Sequence, residues 1–81
     1  MPDLSNLSAL LLRHLAPRGL TAIDETTSLV RSGLVDSFGI LDLVQCLETE
    51  YRVRLQDRDV VPENFENLAL IRRLLERAEP D

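Results

Sequence analysis

A chain of 81 residues makes one domain, and a domain this small buries only about 60% of the surface its unfolded chain exposes, so no large enclosed active site is expected. Hydrophobic residues at 44% and charged residues at 28% describe a folding globular domain and exclude a disordered one. Nine basic residues, all arginine, against fourteen acidic ones give a net charge of −5, the wrong sign for a nucleic-acid partner, and one cysteine with one histidine leaves no internal disulfide and no Cys/His zinc site.

The opening Met1-Pro2-Asp3-Leu4-Ser5 has no basic region followed by an apolar stretch, and no run approaches the ~18 apolar residues of a membrane span. A cytoplasmic protein with no membrane span is expected. Leu4, Leu7, Leu11, Leu12 and Leu15 lie at helical spacing and predict a first helix over about 4–16, with Asp3 or Ser5 at its start. Ala16-Pro17-Arg18-Gly19 ends it, since proline clashes with a continuing helix and glycine tolerates the turn that follows.

Residues 17–36 read as a long loop pinned to the core by Leu20, Ile23, Leu29, Leu34 and Val35. Thr26, Thr27 or Ser28 is placed to cap a single helical turn through Val30, before Gly33 breaks it. A second helix is predicted over 37–51, with Leu41, Val44, Leu47 and Tyr51 on one stripe and Ile40 and Leu43 beside it. Asp36 and Ser37 are both good N-cap residues for it.

Arg52-Val53-Arg54-Leu55 alternates like a short extended piece, and a short third helix is predicted at about 57–61, ahead of Pro62. Asn67 caps a last helix over 67–78, in which Leu68, Ile71 and Leu75 share a face, Leu70 and Leu74 adjoin it, and Arg72, Arg73, Glu76 and Arg77 point outward. No convincing strand pair or internal repeat is seen. An all-α bundle of three main helices and a minor one follows.

Little in this chain suggests catalysis. A serine or cysteine nucleophile needs a base within hydrogen-bond reach, and only His14 is available, in mid-helix between Arg13 and Leu15. Cys46, in a helix rich in Leu and Val, reads as a small hydrophobe, and the pairs Asp57/Asp59 and Glu48/Glu50 read as solvated faces. The chain is expected not to be an enzyme.

One segment stands apart: Gly33-Leu34-Val35-Asp36-Ser37-Phe38-Gly39-Ile40-Leu41-Asp42-Leu43. A serine where a long loop meets an amphipathic helix has its hydroxyl within reach of another protein, although periodicity alone makes Ser37 an N-cap. From Ser32 to Tyr51 the chain also carries Asp36, Asp42, Glu48 and Glu50 and no basic residue, so that stretch holds −4 of the net −5. A single-sign face gives fast, salt-sensitive encounters with partners that carry basic patches.

The Asp36-Ser37-Phe38 tripeptide, preceded by Gly33-Leu34 and followed by Leu41, Leu43-Val44, Leu47, Glu48 and Tyr51, resembles the mark of the acyl carrier and peptidyl carrier family. The resemblance covers nearly the whole chain. It implies a four-helix bundle of acyl-carrier type, with 4′-phosphopantetheine from coenzyme A joined through a phosphodiester to Ser37. Asp36 would help a phosphopantetheinyl transferase position coenzyme A and its metal. Such a carrier supplies no catalytic group of its own, because the reactive thiol belongs to the cofactor. The implied partner contacts at the start of the second helix are Phe38, Leu41, Asp42 and Glu48.

Fatty-acid carriers usually have Leu and then a polar or acidic residue after the serine, where this chain has Phe38-Gly39, and Arg52, Arg54 and Arg58 follow the helix here. Gly-Leu-Val-Asp-Ser-Phe-Gly and Val60-Val61-Pro62-Glu63-Asn64-Phe65 look closer to stand-alone carriers such as the D-alanyl carrier protein. The resemblance therefore implies a monomer loaded by an AMP-forming acyl or aminoacyl ligase and serving downstream acyltransferase, condensing or tailoring enzymes. The competing reading is an unmodified helical interaction module in which Ser37 is merely a cap. A small hydrolase using Ser37 fails for want of a base.

Overall fold

A computed structural model of the chain describes residues 3–81. Met1 and Pro2, part of the opening segment read above for a leader, lie outside the described residues. Three α-helices are the main regular elements: α1 at Leu7–Leu15, α2 at Ser37–Tyr51 and α3 at Leu68–Arg77. Single 3-10 turns occupy Ala16–Arg18, Asp57–Asp59 and Pro62–Phe65.

The first helix starts three residues later than its leucine spacing suggests. Asp3 accepts the backbone amide of Ser5 at 3.0 Å, and Leu7 donates to the Leu4 carbonyl, so the carboxylate expected to cap a helix closes a local turn instead. From Leu7 onward the buried positions are Leu7, Leu10, Leu11 and Leu15, while Leu12, expected on that face, is half-buried. Beyond Leu15 the chain winds on as a 3-10 turn, because Pro17 sits at a position where its missing N–H is not needed.

Gly19 then reverses the chain at φ +107°, and apart from its two chain neighbours no described residue has an atom within 4 Å of where a Cβ would stand. Gly19→Ala is therefore expected to cost backbone strain alone, about 1 kcal/mol, read as a fall of roughly 4–8 °C in Tm.

The helical turn expected between residues 26 and 30 is absent. Asp24 Oδ1 gathers the Thr26 amide and the Thr26 and Thr27 hydroxyls, and the amides of Leu29, Val30 and Arg31 are drawn to Glu66 rather than back into a turn. Leu29 and Val35 are buried, and Leu20, Ile23 and Leu34 pack partly buried against the same core, so the loop is pinned by the side chains that the sequence suggested.

Helix α2 has the expected bounds, but its inward face is rotated. Gly39, Ile40, Leu43 and Leu47 are buried, Val44 and Tyr51 lie at the margin, and Leu41 stands 61% exposed. The inward turns of Val35 and Gly39, at the loop junction, set this rotation.

After α2, Arg52 adopts a left-handed conformation and Val53–Arg54 forms β1, which pairs antiparallel with β2 at Glu79–Pro80. This pair corrects the expectation of a purely helical chain. Ala78 is already extended, and Asp81 donates its amide to the Arg52 carbonyl at 3.0 Å, so the end of the chain is drawn alongside β1. The short helix expected at 57–61 is instead a 3-10 turn at Asp57–Asp59, with a second at Pro62–Phe65. Val61 is extended before Pro62, as a residue preceding proline prefers, and this divides the segment.

Asn67 caps α3 by accepting the Leu70 amide at 2.9 Å, and Leu68, Ile71, Leu74 and Leu75 bury its inner face. With Phe65, Val53 and Leu55, these side chains join those of α1, α2 and the loop in one core. No helix of the described residues is long and apolar enough to cross a membrane.

Candidate functional site

The loop's course decides how Ser37 is presented. Gly33 turns the chain at φ +85°, Val35 donates to the Leu29 carbonyl at 2.8 Å, and Asp36 is extended at the doorstep of α2. The Asp36 carboxylate then accepts the Gly39 amide at 2.7 Å, satisfying one of the orphan donors of the first turn. Asp36 is thus the N-cap, and Ser37 is the first residue of the helix proper. The cap role that periodicity offered Ser37 is corrected: the residue is exposed, and no hydrogen bond engages its hydroxyl among the described residues.

Gly39 has a physical reason to be glycine. A Cβ there would meet Val35 Cγ1 at 3.2 Å, Asp36 Oδ1 at 3.3 Å and Arg18 Nη1 at 3.4 Å. The Arg18 guanidinium, carried by the turn after α1, reaches to 3.9 Å from Asp36 Oδ1. Sequence reasoning missed this cation beside the site, because Arg18 is distant in the chain and no local pattern links it to Asp36.

Beside Ser37 the helix shows Phe38 at 80% exposure and Leu41 at 61%, three residues apart and hence on one face. Asp42, Gln45 and Thr49 are also exposed. Asp42 has a partner: its Oδ2 lies 3.0 Å from His14 Nε2 on α1, a cross-helix contact that no local sequence pattern signals. Glu48 is half-buried and accepts the Leu55 amide at 2.9 Å, which fixes the link after α2. Phe38, Leu41 and Asp42 therefore flank Ser37 as one surface, whereas Glu48 is occupied at the opposite end of the helix.

The linear run of negative charge is thus partly answered in space by Arg18 at Asp36, while Asp42 is held by its contact with the His14 ring. Cys46 is half-buried, and its thiol is pushed up by burial and by the carboxylates of Glu50 and Asp42, which suits a small hydrophobe rather than a nucleophile. A shallow depression of about 390 Å³ lies along the loop, lined by Arg18, Leu20, Ser28, Ser32, Gly33 and Leu34 among others, and Ser37 is not part of it. An exposed hydroxyl with no hydrogen-bond partner among the described residues can be esterified without breaking a contact seen in the fold. No family model matches the chain, and neither a curated protein nor a solved structure matches it.

Proposed function

We propose that the chain is a carrier protein that holds an acyl or aminoacyl group as a thioester on a 4′-phosphopantetheine arm joined to Ser37. The observation that carries this reading is the free, exposed hydroxyl at the first position of α2, with Asp36 capping the helix in its place. Modification there leaves the capping and core contacts untouched. When bound, the arm supplies a thiol, and the chain's own contribution is to hold the attachment point rigid and surround it with a recognisable surface.

The element order supports the acyl-carrier architecture as well: a leucine-rich first helix, a long pinned loop, the motif helix, a pair of short turns where a third helix is expected, and an apolar last helix. On this reading the exposed Asp36, beside Ser37, would help a phosphopantetheinyl transferase position coenzyme A and its metal. The other partners are an AMP-forming acyl or aminoacyl ligase and the acyltransferase, condensing or tailoring enzymes that follow it, met by a cytoplasmic monomer without catalysis of its own.

Intact mass after incubation with coenzyme A and a promiscuous phosphopantetheinyl transferase tests the proposal. A single phosphopantetheine adduct is expected. An unchanged mass would leave the reading of an unmodified interaction module that docks through Phe38 and Leu41.

Those two side chains also predict how partners are held. Exposed aromatic anchors carry a large share of binding energy, so Phe38→Ala should lower kcat/KM for the transferase by about tenfold or more without changing the melting temperature. Asp42→Lys should act differently, slowing association and flattening its dependence on ionic strength. Transferase kinetics measured across a salt series separate the two, and unchanged kinetics in both variants would show that docking uses another face.

A further inference from the structure

One side chain fastens the long loop to the far end of the sequence. Glu66 lies between the Pro62–Phe65 turn and α3. Its Oε1 accepts the backbone amides of Val30 at 3.0 Å and Arg31 at 2.9 Å, and its Oε2 accepts the Ser28 hydroxyl at 2.8 Å. Its own carbonyl accepts the Leu29 amide at 2.7 Å. Four successive loop residues are held by a single residue 35 to 38 positions away.

The held segment is also closed on itself. Ser32 donates its hydroxyl to the Ser28 carbonyl at 2.8 Å, and Val35 donates to the Leu29 carbonyl at 2.8 Å, so residues 28–35 form one hydrogen-bonded unit that ends next to Asp36. Only Leu29 and Val35 of this unit are fully buried, whereas Arg31, Ser32 and Gly33 are exposed. Val30 and Leu34 pack partly buried, and a segment that enters the core at two fully buried side chains and is otherwise held by polar bonds to one residue can open before the helices do.

We propose that residues 28–35 are a latch closed by the Glu66 carboxylate, and that neutralising this carboxylate opens the latch as a local unit and frees the chain that leads into Ser37. The ionised carboxylate is an acceptor for three donors; once protonated it carries a donor of its own and loses the charge that strengthens those bonds. The Arg31 amide first, with the Ser28 hydroxyl and the Val30 amide, holds the Glu66 carboxyl below the usual glutamate range. Because the folded-state value is depressed, the stabilisation is fully present above the ordinary range and is lost as pH falls through the lowered value. Arg31 on the loop adds attraction, and Glu63 on the preceding turn lines the same cleft as Glu66. Arg72 on α3 is engaged in a fork with Glu25.

This inference does not depend on the carrier reading, since its readout is the backbone. Amide hydrogen exchange of the full chain, followed by NMR across a pH series, compares Val30, Arg31 and Val35 with Leu47 and Ile71 in the helices. Protection of the loop amides is expected to fall about tenfold or more on acidification while the helix amides keep theirs, the size expected when charge-assisted bonds are lost locally. In Glu66→Gln the loop amides should already be less protected at neutral pH and should show little further loss. Loop and helix amides that lose protection together, or a Glu66→Gln series that follows the wild type, would overturn the latch. Should Glu66→Gln fail to fold, the wild-type series decides alone by whether the loop opens at a higher pH than the helices.

Discussion

Ser37→Ala is expected to abolish transfer of a fluorescent coenzyme A analogue to the chain while leaving helical circular dichroism and the melting temperature nearly unchanged. Both halves of this outcome follow from the same geometry. Had Ser37 been the N-cap, its loss would cost ~1 kcal/mol. Asp36 holds that role through its bond to the Gly39 amide, so removing an unengaged, exposed hydroxyl should change stability by no more than about 0.5 kcal/mol. The serines nearby in the loop offer no substitute, because the Ser28 hydroxyl is bound to Glu66 and the Ser32 hydroxyl to the Ser28 carbonyl. Labelling that survives in the Ala variant would remove Ser37 from the proposal, and an Asp36→Ala control, which uncaps α2, should by contrast lose stability.

Much of this site was readable before the structure because its signals are local. Asp36 and Asn67 are capping residues immediately ahead of apolar spacing, and each accepts an amide three residues on. Gly33 and Gly19 mark positive-φ turns where the loop had to bend. Errors arose where a local signal had two physical uses. The Asp3 carboxylate serves a turn as readily as a helix start, and Leu41 falls on a helical stripe whose true centre is set by how Val35 and Gly39 turn inward. The contacts that fix the loop were not legible at all, since Glu66 with Ser28 and Arg72 with Glu25 join residues 38 and 47 positions apart with no sequence periodicity to connect them. The same holds for the β1–β2 pair, whose two-residue strands carry too little pattern to register.

Leu41 stands 61% exposed beside Phe38, where the resemblance implies a partner contact; it costs the isolated chain little to remove, yet it enlarges the surface that a partner can cover. Burial in the core and exposure at the site are alternatives for any one leucine. On α2 the assignment is made by Ile40, Leu43 and Leu47, which already fill the inward face.

Phe65→Ala should produce the largest loss of stability from a single core change, about 3–5 kcal/mol. Phe65 is fully buried and is the largest of the fully buried side chains, placed at the end of the Pro62–Phe65 3-10 turn, where that turn packs against both α2 and α3. At ~0.05–0.15 kcal/mol per residue, a domain of this length has only about 4–12 kcal/mol in total, so the variant should lose a quarter of its stability or more. In thermal unfolding this appears as a drop of more than about 12 °C, and in urea as a lower midpoint with an unchanged slope. The consequence extends past the core because Glu66, the next residue, holds the loop that leads to Ser37. Loosening Phe65 should therefore weaken protection at Val30 and Arg31 ahead of the helices, a coupling that Leu41→Ala, on the outer face of α2, should not show. A Phe65→Ala chain that melts within about 0.5 kcal/mol of the wild type would mean that the core does not close around this ring.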